Sequence, residues 1–218
     1  MSLSKPSVRL VVFDWGGVIL RHCRSWREAC GVIGLEVRPG HDRAELVEQR
    51  RAITARFQRG EVAPSAVFHQ LSHATDHLYT PAECDRLHHA WLLTEYAGVA
   101  PLLARLSDTP GLTTALLSNT NELHWQRGHR HADYPAIQHL HRRYASHLWG
   151  ISKPDPSIFR RLEVETGFSG PQILFFDDLA ENCSAAAMLG WQTALIDHTA
   201  ETAPQIRDHL AMIAQIHL

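Results

Sequence analysis

The chain has 218 residues, of which 44% are hydrophobic, with a formal net charge of −2 and a pI near 6.8. That length suits one large domain, or one domain carrying an insertion, with enough apolar material for a sizeable core. The near-neutral balance and the lack of a long basic run argue against nucleic acid as a main partner. Cys23, Cys30, Cys84 and Cys183 are widely spread and form no CxxC pair, which reads as reduced thiols of a cytoplasmic protein rather than a disulfide framework. The start "MSLSKPSVRL" lacks an apolar signal core, and no stretch approaches the roughly 18 apolar residues of a membrane span, so no membrane partner is expected.

"VRLVVF" (8–13) reads as the first strand. From 21 to 95 the pattern is helical and shows no strong strand. Asp42, with Glu45 three residues on, is expected to cap a helix that carries Leu46, Ile53 and Phe57 near one face and breaks at Gly60. Val67, Phe68 and Leu71 suggest a second helix. Thr80-Pro81-Ala82-Glu83 joins a capping box to proline at the first helical position, opening a helix with Leu87 and Trp91.

After residue 96 helices and strands alternate. A helix is expected over 98–107, a strand over 112–117 ending at Ser118, and a strand around 144–148. Asp155-Pro156 starts a helix that stops at Gly167, and "QILFF" (172–176) is a strand running into Asp177-Asp178. A helix up to Gly190, the strand "WQTALI" (191–196) and a helix carrying Ile206, Leu210 and Ile213 complete the chain. The alternation predicts an α/β fold with a doubly wound, mostly parallel sheet. Residues 1–20 and 96–218 form its core, and the helical stretch 21–95 is inserted after the first strand.

Two biases stand out. Of 16 histidines, six fall between His124 and His147. No HExxH or Cys-paired spacing accompanies them, so they read as histidines of surface loops and helices rather than as metal ligands. Of the 21 basic residues, only Lys5 and Lys153 are lysine.

Four features share one topological position. Asp14 follows the first strand, Ser118-Asn119 the second clear one, Lys153 precedes a helix in "SKPDPSIF", and Asp177-Asp178 follow "QILFF". Ligands of open parallel sheets bind beyond the carboxyl ends of strands, so the four are expected to converge although they span 164 positions (178 − 14). Asp14, Asp177 and Asp178 would crowd negative charge, and oxygen-only ligands favour Mg²⁺. Lys153 supplies one compact positive charge that can serve a carboxylate and a phosphate together. The Ser118 hydroxyl and the Asn119 amide and backbone N–H suit phosphate oxygens. A carboxylate held against a metal-bound phosphoryl group is a competent nucleophile. Read singly, each signal has a plainer meaning: "FDWGG" as a strand-ending turn, Asp178 as a helix cap.

The series "VVFDWGGVIL", "LLSNT", "SKPDPSIF" and "ILFFDDLAEN" resembles the four motifs of the haloacid dehalogenase superfamily and spans nearly the whole chain. Within it, the chain is most similar to the bacterial α-D-glucose-1-phosphate phosphatase group and to the phosphatase half of soluble epoxide hydrolases. The resemblance implies a Rossmann-like core, a helical cap that closes over the substrate, and Mg²⁺-dependent hydrolysis of a small phosphorylated metabolite through an aspartyl-phosphate. It implies Asp14 as nucleophile, Ser118 as phosphate ligand and Lys153 as the group steadying negative charge. Asp178 is implied as a metal ligand, with Asp177 and Asn182 in support.

Phosphatases of the family usually carry an aspartate two residues after the nucleophile, as acid/base, and its backbone carbonyl ligates Mg²⁺. Here that residue is Gly16, which keeps the carbonyl and loses a group worth about 10²–10⁴-fold in rate. The similar glucose-1-phosphate-type relatives also place glycine here. His22 or a cap residue is a candidate substitute for that group, though nothing in the sequence selects one, and the plainer reading of His22 is an ordinary polar residue. Two other functions stay open: a catalytically weak or silent phosphate-binding or regulatory protein, suggested by Gly16, and a 2-haloacid dehalogenase, which needs no metal and for which paired acids are not expected. Arg21, Arg24, Trp26 and Trp91 are candidate substrate contacts by chemistry alone, with packing or solvated surface as the plainer reading.

Overall fold

The structure is a computed structural model that describes residues 8–128 and 133–217; Lys5 and most of the N-terminal segment lie outside it. β1 (Leu10–Phe13) consists of four fully buried apolar residues, the composition of a strand covered on both faces. A bend at Trp15 and a turn over Gly17–Ile19 lead into β2 (Leu20–His22), which pairs antiparallel with β3 (Leu92–Glu95). The expectation of a strand-free stretch over 21–95 is therefore corrected at both ends. These strands have only three and four residues and are mostly half-buried, so they carry no periodic signal.

Between β2 and β3 lie α1 (Trp26–Val32), α2 (Ala44–Gln58), α3 (Pro64–His73) and α4 (Pro81–Ala90). They surround a core of their own that includes Phe57, Val67, Leu71, Tyr79 and Leu87. α4 opens on the capping box of Thr80 and Glu83, with both reciprocal bonds present. Asp42 is no cap. Arg43 is the residue preceding α2, with an extended ψ of 133°, so the helix starts one residue too late for the aspartate to reach its N–H groups.

The chain then runs through α5 (Val99–Ser107), β4 (Thr113–Ser118), α6 (Glu122–Gly128), β5 (Arg142–Ala145), α7 (Ser146–Trp149), α8 (Pro156–Thr166), β6 (Ile173–Asp177), α9 (Ala180–Ala187), β7 (Gln192–Leu195) and α10 (Thr202–His209), which continues into a π-helical turn over Leu210–Ala214. The strand expected over 144–148 lies earlier, and its second half is the short α7, closed by Gly150 in the left-handed region (φ 71°). α8 is capped by Asp155 and ends at Gly167.

The sheet order is β5-β4-β1-β6-β7, with each neighbouring pair parallel. From central β1 the chain builds β4 and β5 on one side, then crosses to β6 and β7 on the other. Alternate residues feed two cores: Val11, Phe13, Leu116 and Phe176 face α5 and α10, while Leu10, Val12, Leu117 and Phe175 face α8 and α9. The switch point lies at the carboxyl ends of β1 and β6, where a doubly wound sheet opens a crevice. Among the described residues no helix is long and apolar enough to cross a membrane.

Candidate active site

Strand register sets the first contact. Phe13 pairs with Phe176, and the Asp14 N–H donates to the Phe176 carbonyl at 2.9 Å. Asp14 is thus level with Asp177 across two adjacent strand ends. Lys153 enters from the loop before α8. Its Nζ lies 2.9 Å from Asp14 Oδ1 and 2.7 Å from Asp177 Oδ2, and its side chain is fully buried.

Two members of that trio, Lys153 and Asp177, are held from behind. The Asn119 side chain donates to the Lys153 carbonyl and accepts from the Lys153 N–H, both at 2.8 Å. That amide clamps the lysine loop, and its second N–H and the Asn119 backbone N–H are not part of the clamp. Asn182 Nδ2 donates to both oxygens of Asp177, at 2.9 and 3.1 Å, and the Leu179 N–H adds a third bond to Oδ1 at 2.9 Å. Asp177 is wholly buried, with Lys153, Asn182 and the Leu179 N–H all bonded to its carboxylate. Ser118, also buried, ends β4. Since Phe13 is level with Leu116, Ser118 stands one residue beyond the level of Asp14 on the neighbouring strand.

Asp178 has a different partner. Its side chain is 3% exposed and accepts from Arg24 Nη1 at 2.7 Å. It is not the cap of α9, a position taken by Leu179. Gly17, in the left-handed region at φ 79°, makes room for it: a Cβ there would lie 2.4 Å from Asp178 Oδ2.

One carboxylate oxygen from each of Asp14, Asp177 and Asp178 lies within 4.8 Å of the others. Burial pushes the Asp14 carboxyl up to about 7; Lys153 opposes that rise, and the charges of Asp177 and Asp178 add to it. Lys153 is held above the ordinary lysine value: burial pulls it down, but Asp14 and Asp177 outweigh burial. Three acids face two cations, Lys153 and Arg24, and the donor atoms the acids offer are all oxygen. A hard divalent cation such as Mg²⁺ fits that set.

His22 and Gly16 form the other wall. A Cβ on Gly16 would lie 2.6 Å from His22 Cδ2 and 3.1 Å from Nε2. His22 Nδ1 is 2.9 Å from the Cys23 carbonyl, so it carries the proton and donates. Burial, then Arg24, lowers the pKa of the ring. Arg24, a candidate substrate contact by its chemistry, instead bonds Asp178, and His22 stands beside Gly16; nothing local signals either placement, because both reach the site through the pairing of β2 with β3.

The histidine-rich stretch does not converge on a metal among the described residues; His129 and His131 lie outside them. Nor is all of it surface. His124 is buried and stacks on His88 of α4 at 3.9 Å between ring centres.

Residues 8–190 match the family model of haloacid dehalogenase-like hydrolases. The HAD family enzyme BT-2542 of Bacteroides thetaiotaomicron is similar in structure, with a TM-score of 0.74 at 21% identity over 92% of this chain and 99% of its own. That protein has also been solved in complex with magnesium and inorganic phosphate. A predicted HAD-like family hydrolase from Porphyromonas gingivalis gives a TM-score of 0.76 at 23% identity, over 94% and 98% of the two chains. L-2-haloacid dehalogenase from Xanthobacter autotrophicus, with chloropropionic acid covalently bound, gives 0.61 at 19% identity, over 95% and 84%. In sequence, phosphatase MT3486 of Mycobacterium tuberculosis is 29% identical over 72 residues, a third of each chain. The structural likenesses, all under 25% identity, show the fold alone.

Proposed function

The chain belongs to the haloacid dehalogenase-like hydrolases, and from that premise we propose that it is a Mg²⁺-dependent phosphatase acting on a small phosphorylated metabolite such as a sugar phosphate. The observation that carries this reading is the convergence of Asp14, Asp177 and Asp178 within 4.8 Å. Displacement of halide by a carboxylate gives no reason to gather acids, whereas a cation that holds a phosphoryl group does.

In this reading Asp14 is the nucleophile. Lys153 holds its Oδ1, which leaves Oδ2 to attack phosphorus. The new Asp14–phosphorus bond forms as the bond to the leaving oxygen breaks, and water then cleaves the aspartyl-phosphate to release phosphate and the free carboxylate. Ser118 Oγ and the Asn119 backbone N–H hold the phosphoryl oxygens. Asp14, Asp178 and the Gly16 carbonyl hold Mg²⁺, while Asp177 and Asn182 keep Lys153 in place. Bound there, the cation polarises the phosphoryl group and offsets its charge. The helical unit between β2 and β3 covers the site as a cap and selects the substrate.

Gly16 makes the leaving group decisive. With no carboxyl on residue 16 to protonate the departing oxygen, aryl phosphates, whose phenolates leave unaided, are favoured over alkyl phosphates. The test is phosphate release from p-nitrophenyl phosphate with Mg²⁺ and with EDTA, beside chloride release from 2-chloropropionate. Mg²⁺-dependent phosphate release supports the reading. Turnover that survives EDTA, or chloride release, contradicts it, and phosphate binding without turnover would mark a silent phosphate-binding protein.

A further inference from the structure

Asp178, a ligand in the reading above, already has a cationic partner within the chain. Arg24 Nη1 lies 2.7 Å from Asp178 Oδ2, joining residues 154 positions apart. The guanidinium comes from the segment just after β2, at the start of the helical unit, where the Arg24 N–H is itself fixed on Glu28 Oε2 at 2.7 Å. The contact is close-fitting. A Cβ on Gly17 would lie 2.4 Å from Asp178 Oδ2 and 2.6 Å from Arg24 Nη2, so both groups rest on the bare Gly17 backbone. The Asp178 side chain is almost fully covered, at 3% exposure, while the Arg24 side chain keeps 33% and has solvent to move into.

We infer that Arg24 is an internal competitor for the metal: its guanidinium holds the Asp178 oxygen that a divalent cation would draw on, so metal loading releases Arg24 and with it this tie between the helical unit and the sheet. Two cations sharing one carboxylate repel each other, and the one with solvent access yields. The inference rests on the proposed metal site. It adds that the affinity of the site is set below what the three acids alone would give.

The experiment is Mn²⁺ binding to the full chain, read by electron paramagnetic resonance of the free ion and independent of turnover. Arg24→Met removes the charge and keeps much of the stem. Arg24→Gln does the same with a polar end, should the first variant fold poorly by circular dichroism. Arg24→Lys restores a cation. The neutral variants are expected to bind Mn²⁺ about tenfold more tightly than the natural chain, a difference of roughly 1.4 kcal/mol, with Arg24→Lys close to the natural chain. Equal or weaker binding by the neutral variants overturns the role of Arg24 and leaves the metal site standing. Absence of Mn²⁺ binding in every form removes the metal site itself, and this inference with it.

Discussion

The ring of His22 fills the space that a side chain on Gly16 would need: a Cβ there falls 2.6 Å from the ring's Cδ2. The ring cannot simply step aside, because Nδ1 is bonded to the Cys23 carbonyl at 2.9 Å. The absence of a carboxylate two residues after Asp14 is therefore matched by the wall opposite. Gly16→Asp should lower stability by about 1–3 kcal/mol, the usual cost of overpacking. Adding His22→Ala should recover most of that loss. Thermal melts of the single and double variants check it; a single variant as stable as the natural chain would show that the ring moves freely.

Lys153 bridges Asp14 and Asp177 at 2.9 and 2.7 Å with its side chain fully buried. Lys153→Met leaves two buried carboxylates facing each other, so a loss of about 3–5 kcal/mol is expected at pH 8. The sign with pH follows from Asp14, whose carboxyl burial already pushes up to about 7 with Lys153 opposing the rise. Without the lysine Asp14 protonates at higher pH still, so the deficit of the variant shrinks as pH falls toward 6. Urea denaturation at pH 8 and pH 6 reads this directly. Added Mg²⁺ should narrow the gap at pH 8.

His88 and His124 stack between α4 and α6. Burial, first among the causes, holds His124 down at about 4 and His88 well below the ordinary histidine value. Both are neutral when folded and take up protons more readily when unfolded. Their lowered values therefore favour the folded chain above the unfolded value near 6.5, and that contribution is lost as pH falls from there toward 4. Melting temperature should drop across that window. His88→Phe, which keeps an aromatic ring beside Phe57 and Phe68, should flatten the drop, and an unchanged slope would exclude His88 as a source.

Much of the site was legible because the chemistry sits at strand ends, and strand ends are where runs such as "VVFD" and "LFFDD" stop. The capping boundaries at Thr80 and Asp155 were readable for a similar reason, since caps are local. Asn119 carries a contact that its residue type did not announce: its side-chain amide both donates to and accepts from the backbone of Lys153. Arg24 and His22 were candidates by chemistry alone, and their actual contacts were unreadable for a different reason. They reach the site because β2 pairs with β3, His22 opposite Leu92 at a separation of 70 positions (92 − 22), and such short strands carry no pattern of their own. Asp42 had the right residue type one position too early for α2.

The central claim is that Asp14 itself takes the phosphoryl group. Acid-quenched protein, caught during turnover of p-nitrophenyl phosphate with Mg²⁺, should carry a phosphoryl adduct on the peptide containing Asp14 by mass spectrometry. Asp14→Asn should carry none and release phosphate at least about 10³-fold more slowly, a loss of roughly 4 kcal/mol of barrier stabilisation. Steady phosphate release by Asp14→Asn, or an adduct on any other residue, would contradict the account.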